Sequence, residues 1–306
     1  MPLGRLVVVA GPTGTGKSAL GLALAEELDG EVIGADSMQL YRGMDIGTAK
    51  LPVDERRGLP HHLLDVLDVT ETASVAAYQR HARAAVEGVL SRGRTPLLVG
   101  GSGLYVQAVI DEIDFPGTDP AVRARLEAEL ADAGVTVLRE RLTRLDPAAA
   151  LAIEPNNGRR IVRALEVIEL TGRPFTASLP RPGPPRYDAV LLCLDRDSAQ
   201  LDVALADRVD RMMATGFLDE VAALERIGLR RGMTASRALG YRQLLSVLDG
   251  TTDIDQAVAD TVTATRRFVR RQRSWFGRDA RLHRLDAADP DVLERARDLA
   301  RQVTAQ

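Results

Sequence analysis

The chain has 306 residues, a mass of 33.1 kDa and a formal net charge of −3, a length that fits one large α/β unit or a core carrying a smaller inserted domain. With 45% hydrophobic and 27% charged residues, it has the composition of a globular protein rather than a disordered chain. A lone cysteine, Cys193, excludes an internal disulfide, a zinc ribbon and an iron–sulfur cluster, and without a signal pattern or an apolar run of ~18 residues the expectation is a cytoplasmic protein with no membrane partner.

In chain order, Leu6–Ala10 reads as a short apolar strand, followed by a Gly/Thr-rich turn and a helix over Ala19–Leu28. A second strand, Glu31–Ala35, ends at Asp36, and a third, Thr95–Val99, ends in Gly100-Gly101-Ser102-Gly103, with a helix between them over Ser74–Leu90 that Ser74 can cap. Strands alternating with helices in this way predict a parallel sheet with helices on both faces. From Asp119 the pattern is helical only: Pro120–Ala133, Val135–Leu145, Pro147–Ile153 and Gly158–Leu170. The Pro/Gly-rich segment Arg173–Pro185 reads as a hinge or surface loop, Tyr187–Leu194 as a buried strand, and Asp202–Leu224 and Asp255–Phe276 as long helices. The fold expectation is therefore an α/β, P-loop NTPase-like parallel sheet plus an inserted all-helical domain. We place the core at 1–114 and 201–306 and the insertion, with its connecting loop, at 115–200.

Charge is unevenly spread. Only Lys17 and Lys50 break an otherwise all-arginine basic set, so those two positions invite inspection. Six arginines lie between Arg159 and Arg186, and eight between Arg266 and Arg284. Such runs are solvated helix faces or anion-binding surfaces.

Gly11-Pro12-Thr13-Gly14-Thr15-Gly16-Lys17-Ser18 matches G-x-x-x-x-G-K-[ST] between a predicted strand and a predicted helix. In that context backbone N–H groups and the helix N-terminus surround an anion, Lys17 reaches the terminal phosphate and Ser18 can hold Mg²⁺. The loop predicts a polyphosphate ligand without naming it, nucleotide-binding and ATP-binding proteins included. A hydrolase would also place a carboxylate at a strand end to hold water and Mg²⁺, but the third strand ends in glycines. Asp195 is a fallback, and equally a strand-end turn. Asp36 ends the second strand beside the loop, where it can accept a proton from an acceptor group or cap a helix.

Further segments carry a resemblance over nearly the whole chain: Asp36-Ser37-Met38-Gln39-Leu40-Tyr41, Ile46–Lys50, His61–Asp65, Leu98–Tyr105, Arg159–Val167, Thr171–Pro174, Leu239–Gln243 and Arg270–Phe276. In their order and spacing they resemble the tRNA dimethylallyltransferase (isopentenyl-diphosphate:tRNA transferase) family. The resemblance implies transfer of a dimethylallyl group from dimethylallyl diphosphate to N6 of adenine 37, next to the tRNA anticodon, with release of diphosphate. It makes Asp36 the general base with Ser102 near the same amine, and Lys17, Ser18 through Mg²⁺, and Arg242 the groups that neutralise the departing diphosphate. The tRNA contacts it implies are Asp36, Ser37, Met38, Gln39, Ser102, Arg123, Arg159, Arg160, Ile161, Val162 and Arg163. Thr13 and Thr15 fall where the loop can touch the reacting centre. Arg270, Arg271 and Arg273 are further candidates for RNA phosphates, while Trp275 and Phe276 suit that surface or the core. Tyr41, Tyr105 and Tyr241 suit a prenyl channel or the core. The chain is expected to act as a monomer on the anticodon stem-loop. The alternative is an ATP-dependent small-molecule kinase of the adenylate-kinase type, with the same loop and sheet and a mobile helical lid.

Overall fold

The computed structural model describes residues 4–178 and 185–302. The segment 179–184, part of the expected Pro/Gly-rich loop, lies outside the described residues. Contacts divide the chain into two units, one built from 1–110 and 184–306 and the other from 111–183.

The larger unit is organised by a six-stranded parallel sheet. Its elements begin β1 (Arg5–Ala10), α1 (Lys17–Glu27), β2 (Gly30–Gly34), β3 (His61–His62), α2 (Val75–Ser91), β4 (Thr95–Gly100) and α3 (Gly103–Ile110). Strand order across the sheet is β3, β2, β4, β1, then two strands from later in the chain. Alternation along β1 splits the core between the two faces. Leu6, Val8 and Ala10 pack with Tyr78, Ala82 and Val86 of α2 and Val106 and Val109 of α3. Val7 and Val9 pack with Leu20, Leu24 and Ala25 of α1. The Ser74 hydroxyl caps α2 by accepting the Ala77 N–H, as the sequence predicts.

The smaller unit is helical: α4 (Pro120–Leu145), α5 (Pro147–Ala152) and α6 (Gly158–Thr171). Leu126, Leu138 and Leu142 of α4 close its core on Ile161, Val162 and Leu165 of α6. Within α4 the two helices expected over Pro120–Ala133 and Val135–Leu145 are both present, separated at Gly134, whose φ of 83° and ψ of 167° are not helical. Asp119, Asp146 and Asn157 cap the three helix starts.

The chain then returns to the sheet through β5 (Asp188–Asp195), followed by α7 (Ser198–Ala214), α8 (Phe217–Arg226), α9 (Tyr241–Leu248), α10 (Ile254–Phe276), β6 (His283–Asp286) and α11 (Val292–Gln302). This corrects the expected domain limits. β5 pairs with β1 from Arg5↔Asp188 to Ala10↔Cys193, so residues after 184 belong to the core and the insertion ends well before 200. The single helix expected over 202–224 is two, separated by Gly216 at φ 96°. Apolar residues of α8, α9 and α10, among them Phe217, Val221, Tyr241, Leu244 and Ala257, form a further cluster around Tyr41 and Met44, which anchors the loop after β2.

Candidate active site

Because the strands are parallel, the segments following β1, β2 and β4 emerge at one edge of the sheet, the usual location of ligand crevices in such folds. A cavity of about 1340 Å³ opens there, lined by Thr13, Lys17, Ser18, Asp36 and Gly101 together with residues of the 45–52 loop and α7.

The phosphate loop is held by its own atoms and by β5. Gly11 has φ 137°, and a Cβ there would sit 2.1 Å from the Leu194 carbonyl oxygen, so only glycine fits. The Thr15 hydroxyl donates to the Pro12 carbonyl at 2.9 Å and Thr15 is 2% exposed. This corrects the expectation that Thr15 touches the reacting centre: its hydroxyl is engaged inside the loop, whereas Thr13 lines the cavity. α1 starts at Lys17 with no side-chain cap, leaving its first N–H groups for a ligand. Burial of the Lys17 ammonium lowers its pKa to about 8, against the opposing pull of the Asp36 carboxylate; Arg208 lowers it further.

Asp36 follows β2 and lines the same cavity. No helix follows it, so its carboxylate is not a helix cap; Oδ1 accepts the Met38 N–H at 2.9 Å in a local turn. Ser102, after β4, is tied beside it: its N–H donates to the Ala35 carbonyl at 3.2 Å and its Oγ accepts the Ser37 N–H at 3.4 Å. Gln39 reaches across to the Thr48 and Ala49 carbonyls. The side chain of Lys50 is buried and donates to the Tyr41 carbonyl, Asp45 and Asp65. Three oxygens converging on one point suit an ammonium with three donors better than a planar guanidinium. Both lysines of this arginine-rich chain thus sit where a point charge is required.

Sequence reasoning missed Arg208. It projects from α7 into the cavity, donates to the Thr48 carbonyl at 3.4 Å, and has its pKa lowered by burial, offset by Asp36, with Arg211 lowering it further. The signal was present: Leu201, Leu205 and Met212 are buried, and Arg208 falls on the same helical stripe, a core register occupied by a cation. Arg196 and Arg211 also line the cavity. Asp195, the fallback strand-end acid, is taken by Arg273, whose Nε and Nη2 donate to it at 3.0 and 2.8 Å. The cavity therefore brings Lys17, Arg196, Arg208 and Arg211 together with the Asp36 carboxylate at the end of β2, with Asp45, Asp54 and Glu55 also on its lining and glycines in place of an acid at the end of β4.

The family model for IPP transferase matches residues 39–279. The chain belongs to the IPP transferase family. It is 66% identical over 288 residues to the tRNA dimethylallyltransferase of Saccharopolyspora erythraea, covering 94% of this chain and 93% of that protein. It is 59% identical over 290 residues to the enzyme of that name from Nocardia farcinica, covering 95% and 93%. Among solved structures, it matches a full-length tRNA isopentenylpyrophosphate transferase from Bacillus halodurans at TM-score 0.72 and 39% identity, covering 98% of this chain and 97% of that one. It also matches a eukaryotic dimethylallyltransferase acting on tRNA at TM-score 0.78 and 28% identity, covering 94% and 74%.

Not every residue that the IPP transferase resemblance pointed to reaches the site. Arg242 is exposed in the first turn of α9 and does not line the cavity; the guanidinium facing Asp36 and Lys17 is that of Arg208. Tyr41, Tyr105 and Tyr241 are buried in core clusters, and the apolar wall of the cavity comes instead from residues such as Leu22, Val99, Leu64 and Met212. Trp275 and Phe276 pack in the core, and Arg273 is committed to Asp195, leaving it off the RNA-facing set.

In the helical unit, Ile161 and Val162 are about 1% exposed and belong to its core, which corrects their assignment as contacts: the apolar face of α6 points inward. Arg123 and Arg163 converge on Glu166, which is fully buried. Arg163 also donates to the Pro116 and Gly117 carbonyls at 2.7 and 3.1 Å. Burial raises the Glu166 pKa, but the hydrogen bonds of the two guanidinium groups outweigh this and hold it below the ordinary carboxylate value. Both arginines therefore brace the unit. Arg159 and Arg160 are exposed and make no side-chain ion pair among the described residues.

Proposed function

We propose that this chain is a tRNA dimethylallyltransferase, transferring the prenyl group of dimethylallyl diphosphate to N6 of adenine 37 and releasing diphosphate. The observation that carries the reading is the meeting of Lys17, Arg208 and Asp36 in one cavity, with glycines rather than an acid at the end of β4. Cations stabilise a leaving diphosphate, and the Asp36 carboxylate accepts a proton; a hydrolytic or kinase site would also need an acid at the end of β4 that holds Mg²⁺ and water.

In this reading the α1 N-terminus, Lys17 and Arg208 bind the diphosphate and offset the charge that grows on it as the allylic C–O bond breaks. The N6 nitrogen forms the new C–N bond to the same carbon, and its proton passes to Asp36. An exocyclic amine is a weak nucleophile, so alignment against the allylic carbon supplies much of the acceleration. The adenine must leave the anticodon stack to reach the edge of the sheet, and we assign the free cations Arg159 and Arg160 to tRNA phosphates.

Mg²⁺ fits this site only together with the diphosphate. Ser18 lines the cavity, and among the described residues no group of three or more His, Cys, Asp or Glu forms a site of its own. The ion would be held by the Ser18 hydroxyl and diphosphate oxygens, where it supplies further neutralisation of the leaving group.

The direct test is to incubate the purified protein with unmodified tRNA, Mg²⁺ and either dimethylallyl diphosphate or ATP, then digest the tRNA and weigh its nucleosides. A dimethylallyl-adenosine mass that requires the prenyl donor is the expected outcome; ATP consumption with no nucleoside change would overturn the reading.

A further inference from the structure

Gln272 stands among Arg270, Arg271 and Arg273 on α10, yet it is only 5% exposed. Its side-chain oxygen accepts the Thr13 N–H at 3.0 Å, and its NH₂ group donates to the Gly101 carbonyl at 2.9 Å. Gly101 is shaped to this contact, since a Cβ there would lie 2.4 Å from Gln272 Nε2. One amide thus joins the phosphate loop after β1 to the turn after β4.

We propose that Gln272 is a positioning residue that sets the register between the diphosphate cradle and the acceptor side of the site. Thr13 and Gly101 both line the cavity, whereas Gln272 does not, so it acts through them. The Thr13 N–H is taken by the protein, which separates its job from that of the loop amides left for the anion. On the other side, Gly101 leads into Ser102, whose N–H holds the Ala35 carbonyl and whose Oγ holds the Ser37 N–H; Asp36 lies between those two residues. The loop that holds the leaving group is therefore connected to the proposed base through a single side chain. Glutamine is suited to this because it offers an acceptor and a donor side by side; a carboxylate only accepts, and leucine does neither.

This inference rests on the diphosphate reading of the loop. If the register is lost, the allylic carbon is exposed to water, and dimethylallyl diphosphate plus water yields dimethylallyl alcohol plus diphosphate: the C–O bond to phosphate breaks, a C–O bond to water forms, and a proton goes to solvent. The informative readout is the ratio of diphosphate released to prenyl groups transferred, measured alongside kcat, KM and Tm. For Gln272→Leu, kcat should fall about 10- to 100-fold, the cost of a small misalignment, with KM for the donor within about threefold and the ratio rising above one. Gln272→Glu keeps the size and the acceptor but loses the donor. It should also uncouple, with a raised KM from its added negative charge, and it carries the test if the leucine variant does not fold. Ratios that stay at one in the folded variants, with kcat falling only in step with the folded fraction, would overturn the proposal. A wild-type protein that releases no diphosphate would instead overturn the diphosphate reading itself.

Discussion

Two helix N-termini, one in each unit, meet the same electrostatic problem in opposite ways. α1 opens at Gly16–Lys17 with no side-chain cap, so its amides and partial positive charge stay available in a cavity. α6 opens with Asn157 accepting the Arg160 N–H at 3.2 Å, so its amide is satisfied from within and only the Arg159 and Arg160 side chains face outward. The uncapped end suits a compact anion gripped by backbone; the capped end suits a flexible clamp on phosphates spread along a polymer. Similar chemistry in sequence, a basic residue at a helix start, is thus left in two different settings, one with its backbone amides open to a cavity and one with a first-turn amide satisfied by a cap.

The sharpest break between the two modes is at the base. Asp36→Asn keeps the turn but removes the proton acceptor, and kcat should fall by about 10²- to 10⁴-fold with both substrates still bound; near-normal turnover would reduce Asp36 to a turn residue. Next comes the choice of cation. Arg208→Ala should cut kcat/KM by about 10²- to 10³-fold, while Arg242→Ala, on an exposed turn, should change it little; the reverse ranking would restore Arg242 to the site.

A third substitution tests whether the arginines of the helical unit divide into braces and clamps. Glu166→Ala leaves Arg123 and Arg163 facing a buried gap and should destabilise that unit by about 3 kcal/mol, visible as a lower Tm with donor binding kept. Replacing Arg159 and Arg160 with alanine should leave Tm alone. It should raise KM for tRNA and reduce the slope of log affinity against log salt by about 2; an unchanged salt series would discard the clamp.

The smallest effect concerns Lys17. Its folded-state pKa of about 8 lies below the ordinary 10.5, so the free protein loses this charge as pH rises through 8, and kcat/KM for the donor should decline there. The sign for stability is opposite. Between about 8 and 10.5 the unfolded chain binds the extra proton, so this group makes folding more favourable as pH rises through that window. A pH profile of donor kcat/KM that is flat from 7 to 9 would place Lys17 in a more polar setting.

Much of the fold could be read locally. The phosphate loop, the strands on either side of it and the Ser74 cap each depend on residues within a few positions of one another, where periodicity and capping chemistry act directly. The two-residue β3 and the charged edge strand β6 could not be read this way, because each exists only by pairing with a neighbour distant in sequence. The single helix expected over 202–224 failed for a local reason, the Thr215-Gly216 break.

For the site the division is similar. Sequence alone determined the anion loop, the carboxylate after the second strand and the family to which they belong, since these rest on contiguous residues with characteristic spacing. Only the tertiary structure decided which arginines line the cavity and which are committed to partners within the protein. Arg242, Arg273, Arg123 and Arg163 look as available in the sequence as Arg208, but a guanidinium is free or committed according to the carboxylates and carbonyls that folding brings against it. Asp195, Glu166 and the Thr48 carbonyl lie between 40 and 160 positions away from the arginines they engage, apart from the local Arg163–Glu166 pair, and no local pattern encodes partners at such distances.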